Sequence, residues 1–216
     1  MFRDRREAGE ILGRRLANYK VDGPVVYALP RGGVEVAAGV AAALEAPLEL
    51  LLVRKVGLPW QPELAMGAVI DGETPIVFRN DDVLALVRIS AEAFDDACAH
   101  ELAEAERRRR CYVGDEVSLD PKGRVVIVVD DGIATGATMK VALMALRKRQ
   151  PKSVVLAVPV AARQSLEALR KDADMIICLE TPDDLVAVGS YYQEFPQLSD
   201  DDVVRLLAEV RAHRGS

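Results

Sequence analysis

The residues with the clearest chemical content lie between Arg124 and Thr138, in the string RVVIVVDDGIATGAT. An apolar run, Val125–Val129, ends in two adjacent acids, Asp130 and Asp131. A loop of small residues follows: Gly132, Ile133, Ala134, Thr135, Gly136, Ala137 and Thr138. Small residues let backbone N–H groups approach an anion closely, and a helix starting just after the loop adds the partial positive charge of its N-terminus. Thr135 and Thr138 add hydroxyl donors. The loop reads as a cradle for a phosphate monoester. A carboxylate pair facing that phosphate would repel it, so Asp130 and Asp131 suit neutral hydroxyls, or a hydrated Mg²⁺, instead. Acids for a diol followed at once by a cradle for phosphate describe a 5-phosphorylated ribose. The plainer alternative is a buried strand whose two acids only cap the next turn. Against it stands the whole string D-D-x-x-A-T-G-x-T in a strand–loop–helix context.

That string needs a sheet to present it. Five short runs, Val25–Leu29, Leu48–Val53, Val125–Val129, Val154–Val160 and Met175–Leu179, are nearly continuous in Val, Leu and Ile. Runs without alternation are the pattern of parallel strands covered on both faces. Helical spacing recurs between and around them, over Glu7–Tyr19, Val34–Leu44, Met139–Lys148 and Arg163–Lys171. The pattern predicts an α/β fold with a parallel sheet flanked by helices. In such sheets ligands bind beyond the carboxyl ends of the strands, where the loop after Val129 would sit. From Gly57 to Arg79 the chain carries Pro59, Pro62, Gly67, Gly72 and Pro75, and reads as a mobile loop or hairpin rather than a core element. A long charged, Ala-rich helix is expected over Asp81–Arg110, capped by Asp81 or Asp82. A last helix is expected over Ser199–His213, with Ser199 as its N-cap.

Composition narrows the function classes. The 216 residues suit one domain. The net charge of −6 argues against a general nucleic-acid binder. The basic run Glu106–Arg110 reads as the end of the long helix, where positive charge suits the dipole. The N-terminus shows no secretory signal, and no apolar run reaches the ~20 residues that span a bilayer. A cytoplasmic protein is expected. Cys98, Cys111 and Cys178 read as reduced thiols, and His100 and His213 offer no structural zinc set. Neither a P-loop nor a dinucleotide fingerprint is present.

The segment Arg124–Thr138 resembles the binding motif for 5-phosphoribosyl 1-pyrophosphate (PRPP) of the type I phosphoribosyltransferases. The resemblance extends from about Phe2 to Leu207. It is strongest to uncharacterised bacterial members, which share the FRDRREAG opening and the LPRGGVEVA and LVRK segments. It implies a single domain over residues 1–216, with a core of about 20–180, a lid of about 57–79 and a hood from the terminal segments. It also implies a Mg²⁺-dependent transferase of nucleoside metabolism. Such an enzyme moves 5-phosphoribose from PRPP to a nitrogen acceptor and releases pyrophosphate. Homodimers are implied by the resemblance alone. A non-catalytic PRPP- or nucleotide-sensing module is the alternative, since the fold also serves regulators; a relic scaffold is a further one.

The resemblance assigns roles residue by residue. Arg31, Gly32 and Gly33 stand in the pyrophosphate loop, where Arg31 would pair with phosphate oxygens and the glycines would free backbone N–H groups. Arg54 and Lys55 match the basic pair before the lid, with Lys55 the one to reach pyrophosphate; a solvated basic pair accounts for them equally well. Asp130 and Asp131 would hold the ribose hydroxyls directly or through Mg²⁺, and residues 132–138 the 5-phosphate. Two departures matter. Ala134 stands where the hypoxanthine-guanine branch has an aspartate proposed to handle the base proton. Leu179 and Tyr191 replace that branch's stacking aromatic and its acid. Tyr191, Tyr192 and Phe195 could stack on a base, but packing or dimer contacts are the commoner use of such clusters. Trp60 either shields the closed site or anchors the loop. The acceptor stays open between a purine, a pyrimidine and another amine.

Overall fold

A computed structural model describes residues 1–72, 75–87, 89–114 and 118–214. In chain order the elements begin with α1 (Arg5–Arg15), β1 (Val25–Ala28), α2 (Gly32–Leu44) and β2 (Leu48–Leu50). Next come β3 (Val53–Leu58), β4 (Gln61–Ile70), β5 (Ile76–Arg79), α3 (Asp81–Val87) and α4 (Ala91–Val113). The chain continues with β6 (Val125–Val129), α5 (Ala137–Lys148), β7 (Ser153–Val160), α6 (Arg163–Leu169), β8 (Met175–Glu180) and α7 (Asp200–Arg214). Residues 73, 74 and 88, within the expected lid and long helix, lie outside the described residues.

The chain divides into two compact units, Met1–Leu50 with Val117–Ser216, and Leu51–Glu116. The first holds a parallel five-stranded sheet in the order β2-β1-β6-β7-β8. β1 and β6 are buried along their whole length, as their unbroken Val and Ile runs demand. From the centre, β1 leads through α2 to β2 in one direction, and β6 leads through α5 to β7 in the other. Right-handed crossovers put α2 and α5 on opposite faces of the sheet. The strand order reverses between β1 and β6. That is the switch point at which open α/β sheets bind ligands. The Leu29 N–H donates to the Val129 carbonyl at 3.1 Å and ties the two strand ends together there.

α1 reaches its place through close packing on α2. Asp4 caps α1, its carboxylate accepting from the Glu7 N–H at 2.7 Å. Gly9 faces the α2 backbone so closely that a Cβ would lie 2.3 Å from the Val36 carbonyl oxygen. Gly9→Ala is therefore expected to force the helices apart and cost about 1–3 kcal/mol. A lowered urea midpoint with an unchanged m-value checks this. Ser199 caps α7 as expected: its hydroxyl accepts from the Asp202 N–H at 3.2 Å, while the Asp202 carboxylate accepts from the Ser199 N–H at 3.0 Å.

The second unit corrects three expectations. The run Leu48–Val53 is not one strand; it ends at Leu50 in the parallel sheet, and Val53 begins a strand paired with Ile70. Residues 57–79 do contain a hairpin, but they also supply core residues. β3, β4 and β5 form an antiparallel sheet whose Val56, Leu58, Met66 and Val69 are buried with Phe94 and Cys98 of α4. Of the prolines and glycines that read as loop signals, Pro59 falls at a turn and Gly67 at tight packing. Pro59 and Trp60 make the β3–β4 turn, and a Cβ on Gly67 would lie 2.5 Å from the Phe78 carbonyl oxygen. The expected long helix is two helices. Asn80 caps the first in place of an aspartate, accepting from the Val83 N–H, and Ser90 caps the second, accepting from the Ala93 N–H.

Candidate functional site

β6 carries Asp130 and Asp131 to the switch point. The Asp131 N–H donates to Asp130 Oδ1 at 2.9 Å. Burial, and then the neighbouring Asp131 charge, push the Asp130 carboxyl well above the usual carboxylate range. The start of α2 lies directly against this pair. A Cβ on Gly32 would sit 1.9 Å from Asp131 Oδ2, and one on Gly33 would sit 2.9 Å from the Asp130 Cα. Both positions need glycine because the two chain segments touch with no space for a side chain. The pyrophosphate-loop residues and the acids are thus one packed cluster. The Pro30–Arg31 peptide is cis. Arg31 is half-buried, and its guanidinium lies 3.8 Å from Asp200 at the start of α7.

Arg5 was not singled out from the sequence. It is the first residue of α1, only 4% exposed, and its Nε donates to Asp131 Oδ2 at 2.8 Å. One terminal nitrogen donates to the Pro196 carbonyl at 2.8 Å, and the guanidinium lies 3.7 Å from the centroid of the Phe195 ring. Tyr192 Oη donates to the Asp131 carbonyl at 2.6 Å. Arg5 takes Asp131 Oδ2, and the Asp131 carboxyl also interacts with that of Asp130. The terminal segments pair to make this arrangement: Phe2 N–H donates to Tyr191 O, and Gln193 N–H donates to Phe2 O. Tyr192 and Phe195 therefore pack, with Phe2 at 5.5 Å from the Tyr192 centroid and Leu179 and Tyr191 alongside. These aromatic side chains pack on one another. Arg5 lies within the FRDRREAG opening that carries the resemblance, but nothing there sets it apart from Arg3 and Arg6.

The loop after the acids is fixed at its back and open at its front. Ile133 pairs with Ala161, and the Ser165 hydroxyl donates to the Ala134 carbonyl. Gly136 adopts φ +74°, a conformation that suits glycine, and α5 begins at Ala137 with no side-chain cap. The first N–H groups of a helix have no intrahelical acceptor. Ala134, Thr135 and Ala137 are exposed, while Thr138 is half-buried. A bound anion would meet free backbone donors and two hydroxyls.

Arg54 and Lys55 belong to the second unit, on β3. The Arg54 guanidinium is paired with Glu101 at 2.7 Å, whereas Lys55 is exposed. Trp60 is 63% exposed at its hairpin turn. The basic run of α4 is largely neutralised within the unit. Arg107 and Arg108 pair with Glu104, Arg110 with Glu106 and Arg109 with Asp71. Cys98, Cys111 and Cys178 are free thiols. Among the described residues no helix is long and apolar enough to cross a membrane.

The donor set fits Mg²⁺ in one mode. Among the described residues no three His, Cys, Asp or Glu side chains gather to hold a metal. Asp131 also shares its charge with Arg5. Mg²⁺ commonly binds through one or two carboxylates together with substrate phosphates and water. Asp130 and Asp131 fit that shared mode rather than an all-protein cage.

The family model for the phosphoribosyl transferase domain matches residues 4–194. Two proteins from Mycobacterium tuberculosis strains, each named a "Putative phosphoribosyl transferase", are 44% identical to this chain over 214 residues. The matches cover 99% of this chain and 47% of each relative, so the chain spans about half the length of the curated relatives it matches. The crystal structure of TT1426 from Thermus thermophilus is similar with a TM-score of 0.83 and 40% identity, covering 97% of this chain and 98% of that one. The AQ2163 protein from Aquifex aeolicus is similar in fold, with a TM-score of 0.52 and 14% identity over 94% of this chain and 83% of that one.

Proposed function

Because this chain belongs to the phosphoribosyl transferase domain family, we propose that it transfers 5-phosphoribose from PRPP to a nitrogen acceptor in a Mg²⁺-dependent reaction. The observation that carries the reading is the packing of the acid pair, the Gly32–Gly33 loop and the open loop 132–138 at one switch point of the sheet. In the reaction the bond from C1 of the ribose to pyrophosphate breaks, a bond from C1 to the acceptor nitrogen forms, and the nitrogen loses a proton. Mg²⁺ would neutralise charge on the leaving pyrophosphate. Loop 132–138 holds the 5-phosphate through backbone N–H groups and the Thr135 and Thr138 hydroxyls. Asp130 and Asp131 hold the ribose hydroxyls and offset positive charge as it builds on the ring. Gly32 and Gly33 offer N–H groups, and Arg31 its guanidinium, to pyrophosphate. Arg54, Lys55, the lid and homodimer assembly enter this proposal through the family resemblance. Ala134 provides no base, so the proton leaves through another group or water.

The test is titration of PRPP into the protein by calorimetry, with and without Mg²⁺, followed by detection of pyrophosphate on addition of nitrogen acceptors. Saturable Mg²⁺-dependent binding and acceptor-dependent pyrophosphate release are expected. Absence of PRPP binding in both conditions would overturn the proposal.

A further inference from the structure

We propose that Arg5 is a positioning residue for sugar recognition, fixing the orientation in which the Asp131 carboxylate meets the ribose hydroxyls. The proposal rests on the sugar-phosphate reading of the site. Asp131 is constrained from three sides. Arg5 holds Oδ2 at 2.8 Å, Tyr192 holds its main-chain carbonyl at 2.6 Å, and Gly32 lies so close that a Cβ would come within 1.9 Å of Oδ2. Arg5 is itself constrained by the Pro196 carbonyl and the Phe195 ring. With only 4% of its surface exposed, it acts through Asp131 rather than on a ligand. Its planar fork is suited to holding three partners in one geometry, which a lysine ammonium cannot do. A carboxylate held in one orientation binds a hydroxyl without first losing rotamer freedom, and that is the advantage of a supported site.

A merely structural role for Arg5 predicts something different, namely equal weakening for every ligand of the phosphate loop. Ribose 5-phosphate and 2-deoxyribose 5-phosphate separate the two roles, because only the first offers a 2-hydroxyl to the acids. Affinities of both are measured by calorimetry for the wild type, Arg5→Gln and Arg5→Lys. The wild type is expected to favour ribose 5-phosphate by roughly tenfold or more, the value of one charge-assisted hydrogen bond. Arg5→Gln is expected to reduce that preference to about threefold or less. Its affinity for the deoxy sugar should stay within about twofold of the wild type, because that sugar never used the hydrogen bond in question. Arg5→Lys keeps the charge without the fork or the ring stacking and should fall between. It carries the test if Arg5→Gln does not melt cooperatively. A wild type indifferent to the 2-hydroxyl overturns the sugar-phosphate reading and this proposal with it. A wild type that discriminates, beside variants that discriminate equally or lose both sugars equally, overturns the positioning role alone.

Discussion

Replacing Asp130 and Asp131 together by Asn is expected to weaken PRPP binding by at least about a hundredfold. Each acid would contribute a charge-assisted hydrogen bond to the sugar, worth roughly 1.5–3 kcal/mol, and two such losses span two decades or more. The two acids should differ in their effect on the fold. Asp131→Asn leaves the Arg5 guanidinium buried without its ion-pair partner, and breaking a buried pair from one side costs up to about 3–5 kcal/mol. Asp130→Asn should leave Tm unchanged or raised at neutral pH. Burial raises the Asp130 pKa, so the charged form lowers folded stability as pH rises above the ordinary carboxylate range, and Asn removes that charge. Asn also keeps the oxygen that accepts from the Asp131 N–H. Melting curves beside PRPP titrations for the two single variants check both statements. A large fall in Tm for Asp130→Asn would contradict them.

Gly32→Ala should empty the site more selectively. The new methyl would need the space now occupied by Asp131 Oδ2, 1.9 Å away, and that oxygen is held by Arg5. A free carboxylate would swing aside cheaply; this one must break its ion pair or push the start of α2 outward. Overpacking of this kind costs about 1–3 kcal/mol. PRPP binding should fall by about tenfold or more, since displacing Asp131 forfeits at least one charge-assisted hydrogen bond. A double-mutant cycle identifies the cause. On an Asp131→Ala background the carboxylate is gone, so the cost of Gly32→Ala should shrink by about 1 kcal/mol or more through coupling of touching residues. Additive costs would place the damage in the α2 backbone instead.

The parts of this site that were legible in the sequence are those written contiguously. The run Val125–Val129 could only be a buried strand, and the acids and loop after it follow without a break. Gly32 and Gly33 were legible as a backbone-donor loop, but not as the wall against Asp131, because that wall joins residues far apart in the chain. Arg5 was illegible for the same reason: 126 positions separate it from its partner, and nothing local marks it among Arg3, Arg5 and Arg6. The second unit failed differently. Pro59, Gly67 and Gly72 are ordinary loop signals, yet Gly67 lies inside β4, where the Phe94 ring and the Phe78 carbonyl leave no space for a side chain. At Leu51 the chain changes sheets with no turn residue to announce it. The α3–α4 break had a signal in Ser90 that a continuous charged helix obscured.

The pairing of Val25 with Val126 has a consequence for how the chain is made. Leaving the ribosome in order, β1, α2 and β2 emerge before the other strands of their sheet and cannot complete it. Leu51–Glu116 then emerges whole, with its own core in Val56, Met66 and Phe94 available before β6 exists. Only afterwards does β6 pair with the waiting β1, bringing Asp131 to an Arg5 translated long before. Tyr192 and Phe195 arrive later still. Long-range parallel pairing is slow because its loop must close before its strands can meet. The inserted unit is therefore a guest that matures inside an unfinished host. The acid pair is sealed only once Tyr192 has been made, and a nascent chain halted before it would carry the phosphate loop and Arg5 but lack the Tyr192 hydroxyl and the Phe195 and Pro196 contacts.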